Sequence, residues 1–196
     1  MPEKPRNVCV YCASSQQAHD DFYSVAADLG RILAKEEVTI TYGGGAVGLM
    51  GAIADSALEH GGKVIGVLPE FMDELEWGHG SLTELQLVPD MHQRKQKMID
   101  LADAIVALPG GCGTLEELLE AITWKRLGLH GKPIVLVDTR GFYQPLIAML
   151  QRTIDEKFMR PEHGTMWSVV ECAEDVLPAI SEAPPWGESN RSIATL

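Results

Sequence analysis

A glycine-rich segment between two apolar patterns constrains the fold of this chain more than any other feature. The segment, Pro109-Gly110-Gly111-Cys112-Gly113-Thr114, follows the short apolar run 104–108, of the kind found in strands buried on both faces of a parallel sheet. Apolar residues then recur at helical spacing, at Leu115, Leu118, Leu119 and Ile122. Because glycines allow close backbone approach and the first N–H groups of a helix lack partners within it, this order predicts an anion-binding site.

Two interpretations of Thr114 and Glu117 are open. The T-x-x-E spacing at a helix start is typical of a capping box, in which Thr114 bonds the N–H of Glu117 and the Glu117 side chain reaches back. Alternatively, the Thr114 hydroxyl binds a phosphate, and the Glu117 carboxylate lies over the reacting part of a substrate. A phosphate repels a carboxylate unless cations lie nearby, so the second interpretation requires basic residues from elsewhere in the chain.

The remaining patterns predict one Rossmann-like α/β domain, a doubly wound parallel sheet with helices on both faces. Further strands are expected at 8–13, 38–42, 63–68, 133–137 and 167–170, and further helices at 49–60, 142–156 and 173–180, after a first helix capped by Asp20. The acidic segment 71–80, which includes Glu76, is expected to form a loop over the sheet edge. The domain is expected to span 1–181, and the polar, proline-containing segment 182–196 is expected to be a disordered tail.

The charge of the chain disfavours some classes of partner. Its 196 residues include 28 acidic and 16 basic side chains, and the formal charge of −12 argues against a nucleic acid polymer or an anionic membrane. A small anionic ligand remains possible, because a local basic cluster can dominate inside a cleft. The N-terminal segment leads into only about six apolar residues, too few for a signal peptide or a membrane span, so a cytoplasmic location is expected.

The four cysteines do not predict a metal site or a redox pair. Cys9 and Cys12 have C-x-x-C spacing, but they lie in a predicted strand, where residues three apart point to opposite faces. Buried core thiols are therefore expected at both positions. The six histidines are too scattered to complete a zinc site.

A second glycine turn, residues 43–48, follows the second predicted strand and includes Gly44 and Gly45. Its spacing satisfies G-x-G-x-x-G, which raises a dinucleotide-binding interpretation with Glu70 as the ribose-binding acid. That motif usually follows the first strand of its unit, however, and no hydride-transfer site is evident. Glycines that only let a helix pack closely on the sheet are at least as good an interpretation as any ligand role.

The helix that begins near Met91 supplies candidate cations. Met91, Met98 and Ile99 define its apolar face, and Arg94 and Lys95 occupy the i+3 and i+4 positions of that face. Long basic side chains often extend along apolar surface toward water, which is the alternative interpretation. Because the central glycine turn is only one strand away, we expect these two residues to be the cations that Glu117 requires.

These motifs together resemble the LONELY GUY family of cytokinin-activating phosphoribohydrolases, long mislabelled as lysine decarboxylases. The family signature P-G-G-x-G-T-x-x-E is met by Pro109 to Glu117, and its M-H-x-R-K block is met by residues 91–95. A third block matches at Gly43-Gly44-Gly45 and Gly48-Leu49-Met50-Gly51, and the similarity runs from about Val8 to Phe158. One departure is Ala13, where the family usually has glycine before the serine pair that begins at Ser14.

The resemblance implies hydrolysis of the N-glycosidic bond of a nucleoside 5′-monophosphate, AMP or an N6-substituted derivative, to the free base and ribose 5-phosphate. By motif match, Arg94 and Glu117 are the catalytic pair. Substrate-binding positions are expected at Ser14, Gly44, Gly45, Glu76, Lys95, Gly110, Gly111, Cys112, Gly113, Thr114 and Thr123. The family is typically a homodimer with active sites near the subunit interface, and no cofactor or metal is expected. The competing hypothesis is a non-catalytic protein that binds or carries nucleotides or nucleotide-like cofactors on the same fold.

Overall fold

The sheet of this protein has seven strands, all parallel. The structure, a computed structural model, describes residues 4–73 and 78–186. The strands are β1 (Asn7–Tyr11), β2 (Thr39–Tyr42), β3 (Val64–Pro69), β4 (Glu84–Val88), β5 (Ala104–Ala107), β6 (Ile134–Val137) and β7 (Ser168–Val170). Their order in the sheet is β4-β3-β2-β1-β5-β6-β7. The predicted α/β fold class is confirmed.

Helices cover both faces of the sheet. They are α1 (Asp20–Lys35), α2 (Gly48–Glu59), α3 (Glu70–Asp73), α4 (Met91–Leu101), α5 (Cys112–Arg126), α6 (Gln144–Asp155) and α7 (Val176–Glu182). Side chains of α1, α2 and α7 form the core on one face, and side chains of α4, α5 and α6 form the core on the other. Within the described ranges, none of these helices is long and apolar enough to cross a membrane.

The chain changes direction across the sheet at β1. Strands β2, β3 and β4 extend to one side of β1, whereas β5, β6 and β7 extend to the other. In register, Val10 of β1 lies between Tyr42 of β2 and Val106 of β5. The carboxyl edge of a parallel sheet at such a switch point is where ligands bind, and both glycine turns begin at this edge.

The alternation of side chains along β1 separates its cysteines as the sequence predicted. Cys9 belongs to the core beneath α4 and α5, and Cys12 belongs to the core beneath α1 and α2. Both are free and buried. In the described part of the chain, no group of three or more His, Cys, Asp or Glu side chains is arranged to hold a metal ion.

Two local expectations are wrong. The first helix is capped by His19, whose Nδ1 accepts from the N–H of Asp21 at 3.2 Å, because Asp20 is already the first helical residue. The predicted loop 71–80 begins instead as the short helix α3.

The sequence interpretation also missed strand β4, which pairs only with β3 at the edge of the sheet. Its leucines, Leu85 and Leu87, alternate with polar residues and are exposed. The segment therefore lacks the continuous apolar run that marked the buried strands.

The segment predicted to be a disordered tail starts differently. Glu182 ends α7, and Trp186 is buried with its Nε1 donating to the carbonyl of Lys125 at 2.8 Å. The prediction of disorder is therefore wrong for residues 182–186, because the indole packs at the end of α5. The rest of the tail, 187–196, lies outside the described residues.

Candidate active site

A cavity of about 720 Å³ opens at the carboxyl edge of the sheet, over the switch point. It is bounded by the segments that follow β1, β2 and β5 and by residues of α2, α4 and α5. Its lining residues include Ser14, Ser15, Gly43, Gly45, Met50, Met91, Arg94, Gly111, Cys112, Gly113, Thr114 and Glu117. Backbone amides, hydroxyls, one guanidinium and carboxylates thus line the cavity together with methionine side chains.

The start of α5 forms the polar floor of this cavity. Gly111 is the N-cap residue, and no side chain caps the helix. Thr114 is the third helical residue, so the capping-box interpretation of Thr114 and Glu117 is wrong. Both side chains are nonetheless buried, at 4% and 5% exposure, where they line the cavity. The first N–H groups of α5 are free for an anion.

Glycine is required at only one position of the P-G-G-C-G-T turn for internal packing. A Cβ atom on Gly110 would lie 2.1 Å from the Thr114 hydroxyl oxygen, so glycine here lets Thr114 approach the turn. A Cβ on Gly111 or Gly113 would meet no other atom within 4 Å. Those two glycines face open space at the cavity.

Arg94 reaches the cavity from α4 and is held by backbone carbonyls. Its Nε donates to the carbonyl of Val67 at 3.1 Å, and its Nη2 donates to the carbonyl of Gly43 at 2.9 Å. The side chain is 7% exposed. Two strand ends therefore fix the guanidinium, and its Nη1 lies 3.9 Å from Oε1 of Glu117.

The site shifts the pKa of the Glu117 carboxyl into the neutral range. Burial raises the pKa of its carboxyl to about 7, with the charge of Arg94 acting in the opposite direction. The negative charges of Glu116 and Glu120 raise the pKa of Glu117 further, and the positive charge of Lys95 lowers it. At neutral pH Glu117 therefore exchanges readily between acid and carboxylate, as a general acid or base requires.

Lys95, the other predicted cation, does not line the cavity. Its Nζ donates to Glu116 Oε1 at 2.5 Å and to Glu120 Oε1 at 3.2 Å, and these bonds connect α4 to α5. These two bonds raise the pKa of Lys95 against the effect of its burial, so it remains charged. The structure thus brings only Arg94 of the adjacent pair to Glu117.

The remaining predicted site residues divide into four groups. The residues that line the cavity are Ser14, Gly45, Gly111, Cys112, Gly113 and Thr114, whereas Gly44 and Gly110 lie in the two turns without lining it. Thr123 lies on the outer side of α5, at a second hollow of about 590 Å³, and its hydroxyl donates to the carbonyl of Leu119. Glu76 lies outside the described residues.

Sequence reasoning missed the apolar wall of the cavity. Leu68 and Met72 line it beside Met50 and Met91. The only signal was the end of an apolar strand followed by an acidic stretch, which does not identify a ligand-facing surface. The dinucleotide interpretation loses its acid, because Glu70 is exposed and does not line the cavity.

Comparisons with known proteins agree on fold and family. A family model described as "possible lysine decarboxylase" matches residues 50–180. A cytokinin riboside 5′-monophosphate phosphoribohydrolase from Rhodococcoides fascians is 42% identical over 178 residues, covering 90% of this chain and 88% of that protein. One from Arabidopsis thaliana is 38% identical over 185 residues, covering 94% and 86%.

The molybdenum cofactor binding protein from Rippkaea orientalis has a similar structure, with a TM-score of 0.69 over 91% of this chain and 96% of that chain. At 22% sequence identity, this similarity concerns the fold alone.

Proposed function

Because this chain belongs to the LONELY GUY family, whose curated members are cytokinin riboside 5′-monophosphate phosphoribohydrolases, we propose that it hydrolyses nucleoside 5′-monophosphates. The bond broken is the N-glycosidic bond, and the products are the free base and ribose 5-phosphate. AMP and its N6-substituted derivatives are the proposed substrates. One observation carries the proposal: Arg94 and Glu117 meet in a cavity whose floor is the uncapped start of α5.

The phosphate of the substrate binds at the start of α5 in this proposal. The N–H groups after Gly111 and the Thr114 hydroxyl supply donors, and the helix dipole adds a favourable field. Ser14 lies at the same cavity from the end of β1. Binding through the phosphate, remote from the bond that breaks, positions the sugar for attack.

Glu117 serves the reacting carbon. As the bond between C1′ and the base breaks, the ribose gains oxocarbenium character, which the Glu117 carboxylate stabilises. The same carboxylate takes a proton from the attacking water, whose oxygen forms the new bond to C1′ as the bond from C1′ to the base breaks. That proton then passes to the departing base, which restores the carboxylate. A group with a pKa near 7 is suited to that exchange.

Arg94 has two possible tasks, to neutralise the phosphate or to assist the departing base. Its position beside Glu117 favours the second task. The two are separated by Arg94→Ala assayed on AMP and on adenosine. A loss confined to AMP would assign Arg94 to the phosphate, whereas an equal fractional loss on both substrates would assign it to the base or the ribose.

Decarboxylation of lysine, which the family description suggests, does not fit these residues. Such chemistry requires pyridoxal phosphate held by a lysine as a Schiff base. No lysine lines the cavity in the described part of the chain, and Lys95 is engaged by two carboxylates.

Product analysis tests the proposal. Purified protein is incubated with AMP and N6-substituted AMP, without added metal or cofactor, and the products are separated by chromatography. We expect free base and ribose 5-phosphate in equal amounts. If the nucleotide stays intact after prolonged incubation with an equal concentration of the protein, the carrier hypothesis is favoured instead.

We also infer a cytoplasmic homodimer. Leu119 and Leu127 expose apolar surface along the outer side of α5, beside the hollow that contains Thr123. A second subunit packed there would cover this surface close to the cavity, since Cys112 and Glu116 border both spaces. Light scattering after gel filtration tests the dimer, and a monomer at micromolar concentration would contradict it.

A further inference from the structure

Tyr11 carries a buried hydroxyl that no nitrogen or oxygen atom of the described residues satisfies. It is the last residue of β1, it is 1% exposed, and its ring lies in the core beneath α4 and α5. The other two fully buried tyrosines, Tyr42 and Tyr143, donate to the carbonyls of Gly45 and Leu108. The Tyr11 hydroxyl has no nitrogen or oxygen partner within the described residues, and only the Cys9 thiol, a weak hydrogen-bonding group, lies beside it. A buried hydroxyl is costly without a partner, so this exception calls for a role.

A second buried oxygen without a partner belongs to the same region. Glu120 binds Lys95 through Oε1, but its Oε2 is buried and forms no hydrogen bond within the described residues. Glu120 follows Glu117 by three residues on α5, so the two carboxylates lie on neighbouring positions of one helix face. The charges of both carboxylates act on the Tyr11 hydroxyl.

The groups around Glu117 come from β1 and the residue after it, from α4 and from α5. They are Cys9 and Tyr11 of β1, Cys12 directly after β1, Arg94 and Lys95 of α4, and Glu116 and Glu120 of α5. Burial, with the nearby acidic groups, raises the pKa of Tyr11 well above its usual value and keeps its proton in place at neutral pH. Burial likewise raises the pKa values of the Cys9 and Cys12 thiols. Tyr11 therefore stays a neutral hydrogen-bond donor while Glu117 titrates.

We propose that Tyr11 is a positioning residue that acts through Glu117: its hydroxyl donates, through one buried water also bound by Glu120 Oε2, to the ionised Glu117 carboxylate. Buried waters characteristically join two to four otherwise unsatisfied polar groups. Tyr11 Oη and Glu120 Oε2 are two such groups, and the Glu117 carboxylate is the third in this proposal. The hydrogen bond favours the carboxylate form of Glu117, whereas the Glu120 charge opposes it. Together they set the pH at which the enzyme becomes active. This inference rests on the proposed function.

The test compares pH profiles of kcat/KM on AMP for the wild type, Tyr11→Phe and Glu120→Gln. Tyr11→Phe keeps the ring and removes the donor, so the acid limb should move up by about one pH unit, with activity restored at higher pH. Glu120→Gln removes a like charge, so the limb should move down. Opposite shifts from two neighbouring variants are a result that a packing defect would not produce.

Tyr143→Phe is the matched control, since it removes a buried hydroxyl that already has a backbone partner. We expect a lower melting temperature and an unmoved acid limb. The proposal is overturned if Tyr11→Phe melts like the wild type and its acid limb stays in place, or if Glu120→Gln shifts the limb upward.

A readout without turnover separates this inference from the proposed function. Infrared difference spectra follow the protonated carboxyl band that Glu117→Gln removes, and its titration should move with the same signs in the two variants. If the wild type is inactive on every nucleotide but the band shifts as expected, only the proposed function fails. If the wild type is active and the band does not shift, only the inference fails.

Discussion

The two glycine turns of this protein both follow a strand and both border one cavity, yet their glycines have different roles. At the turn after β2, a Cβ on Gly48 would lie 2.5 Å from the Ser14 carbonyl carbon, and in the first turn of α2 a Cβ on Gly51 would lie 2.4 Å from the carbonyl oxygen of Ala46. Gly48 also has φ of +67°, which L side chains rarely adopt. A Cβ on Gly43 would overlap the Arg94 guanidinium. These glycines serve packing.

The turn after β5 keeps its glycines open. Only Gly110 is crowded, by Thr114, whereas Gly111 and Gly113 have free space where a Cβ would lie. The N–H groups that follow are uncapped and border the cavity. Close backbone approach to a bound anion therefore explains the glycines here, and close approach to other parts of the chain explains those in the first turn.

The largest expected effect comes from Glu117→Gln, which tests whether the helix that follows the second turn holds a catalytic residue. Loss of the carboxylate should lower kcat by roughly 10²- to 10⁴-fold, the usual contribution of general acid–base catalysis. Steady-state assays on AMP measure this. Nearly wild-type turnover would mean that the second turn, like the first, is a packing feature.

Thermal melting of the same variant provides the control. The folded state raises the pKa of Glu117 from 4.5 to about 7, so its ionisation costs stability as pH rises through that interval. The glutamine variant should therefore melt at or above the wild type at pH 8, and the difference should shrink as pH falls toward 4.5. A lower melting temperature at pH 8 would show that the ionised carboxylate stabilises the fold, which contradicts a raised pKa.

Removal of the substrate phosphate tests the second turn from the ligand side. If donors at the start of α5 and the Thr114 hydroxyl both bind the phosphate, adenosine lacks two contacts of about 1.5 kcal/mol each. Adenosine should then have a kcat/KM roughly 10²-fold below that of AMP. Comparable efficiency on both substrates would show that the second turn does not anchor the phosphate.

The pH dependence of kcat/KM sharpens the comparison by locating the active carboxylate. Because the pKa of Glu117 is about 7 and the carboxylate is the active form, kcat/KM should fall about tenfold per pH unit below 7. Stopped assays on AMP between pH 5 and 8, taken as a rough range around that pKa, measure the limb. A flat profile across this range would assign the general base to another group.

The smallest expected effect on activity comes from a pair of alanine substitutions, one in each turn. Gly48→Ala should destabilise the fold by about 2–4 kcal/mol, through strain and overlap with the backbone of the Ser14 turn. Gly113→Ala should leave stability unchanged or raise it by up to about 1 kcal/mol, yet raise KM for AMP several-fold by crowding the phosphate. Urea unfolding and steady-state assays measure the two quantities.

The proposed difference between the two turns is refuted if the two variants behave alike. If Gly113→Ala destabilises the protein as much as Gly48→Ala does, the glycines of both turns are required for internal packing. An unchanged KM in Gly113→Ala would remove the ligand role of that glycine.

The sequence by itself determined the architecture and the position of the site. Apolar runs and helical periods gave the alternating strands and helices, and parallel strands bring the segments after β1, β2 and β5 to one edge. The inward direction of Arg94 also followed from spacing alone, because a helix repeats its faces every three to four residues. These features depend on local geometry, which the sequence encodes directly.

Only the tertiary structure decided which charges meet. Arg94 and Lys95 are adjacent and equally buried, but one residue turns a helix by about 100°, so Arg94 reaches Glu117 and Lys95 reaches Glu116 and Glu120. The same holds for the orphaned hydroxyl of Tyr11, which no sequence pattern distinguishes from a core tyrosine.

Tertiary packing also decided the fate of segments without periodicity. Trp186 follows two prolines in a stretch with the composition of a disordered tail, yet its indole is buried because the end of α5 offers a carbonyl and an apolar surface. The helix start at Cys112, which removes the capping box, is likewise set by how the turn after β5 packs and not by the T-x-x-E pattern. Partners distant in sequence supply these contacts, and a local pattern does not contain them.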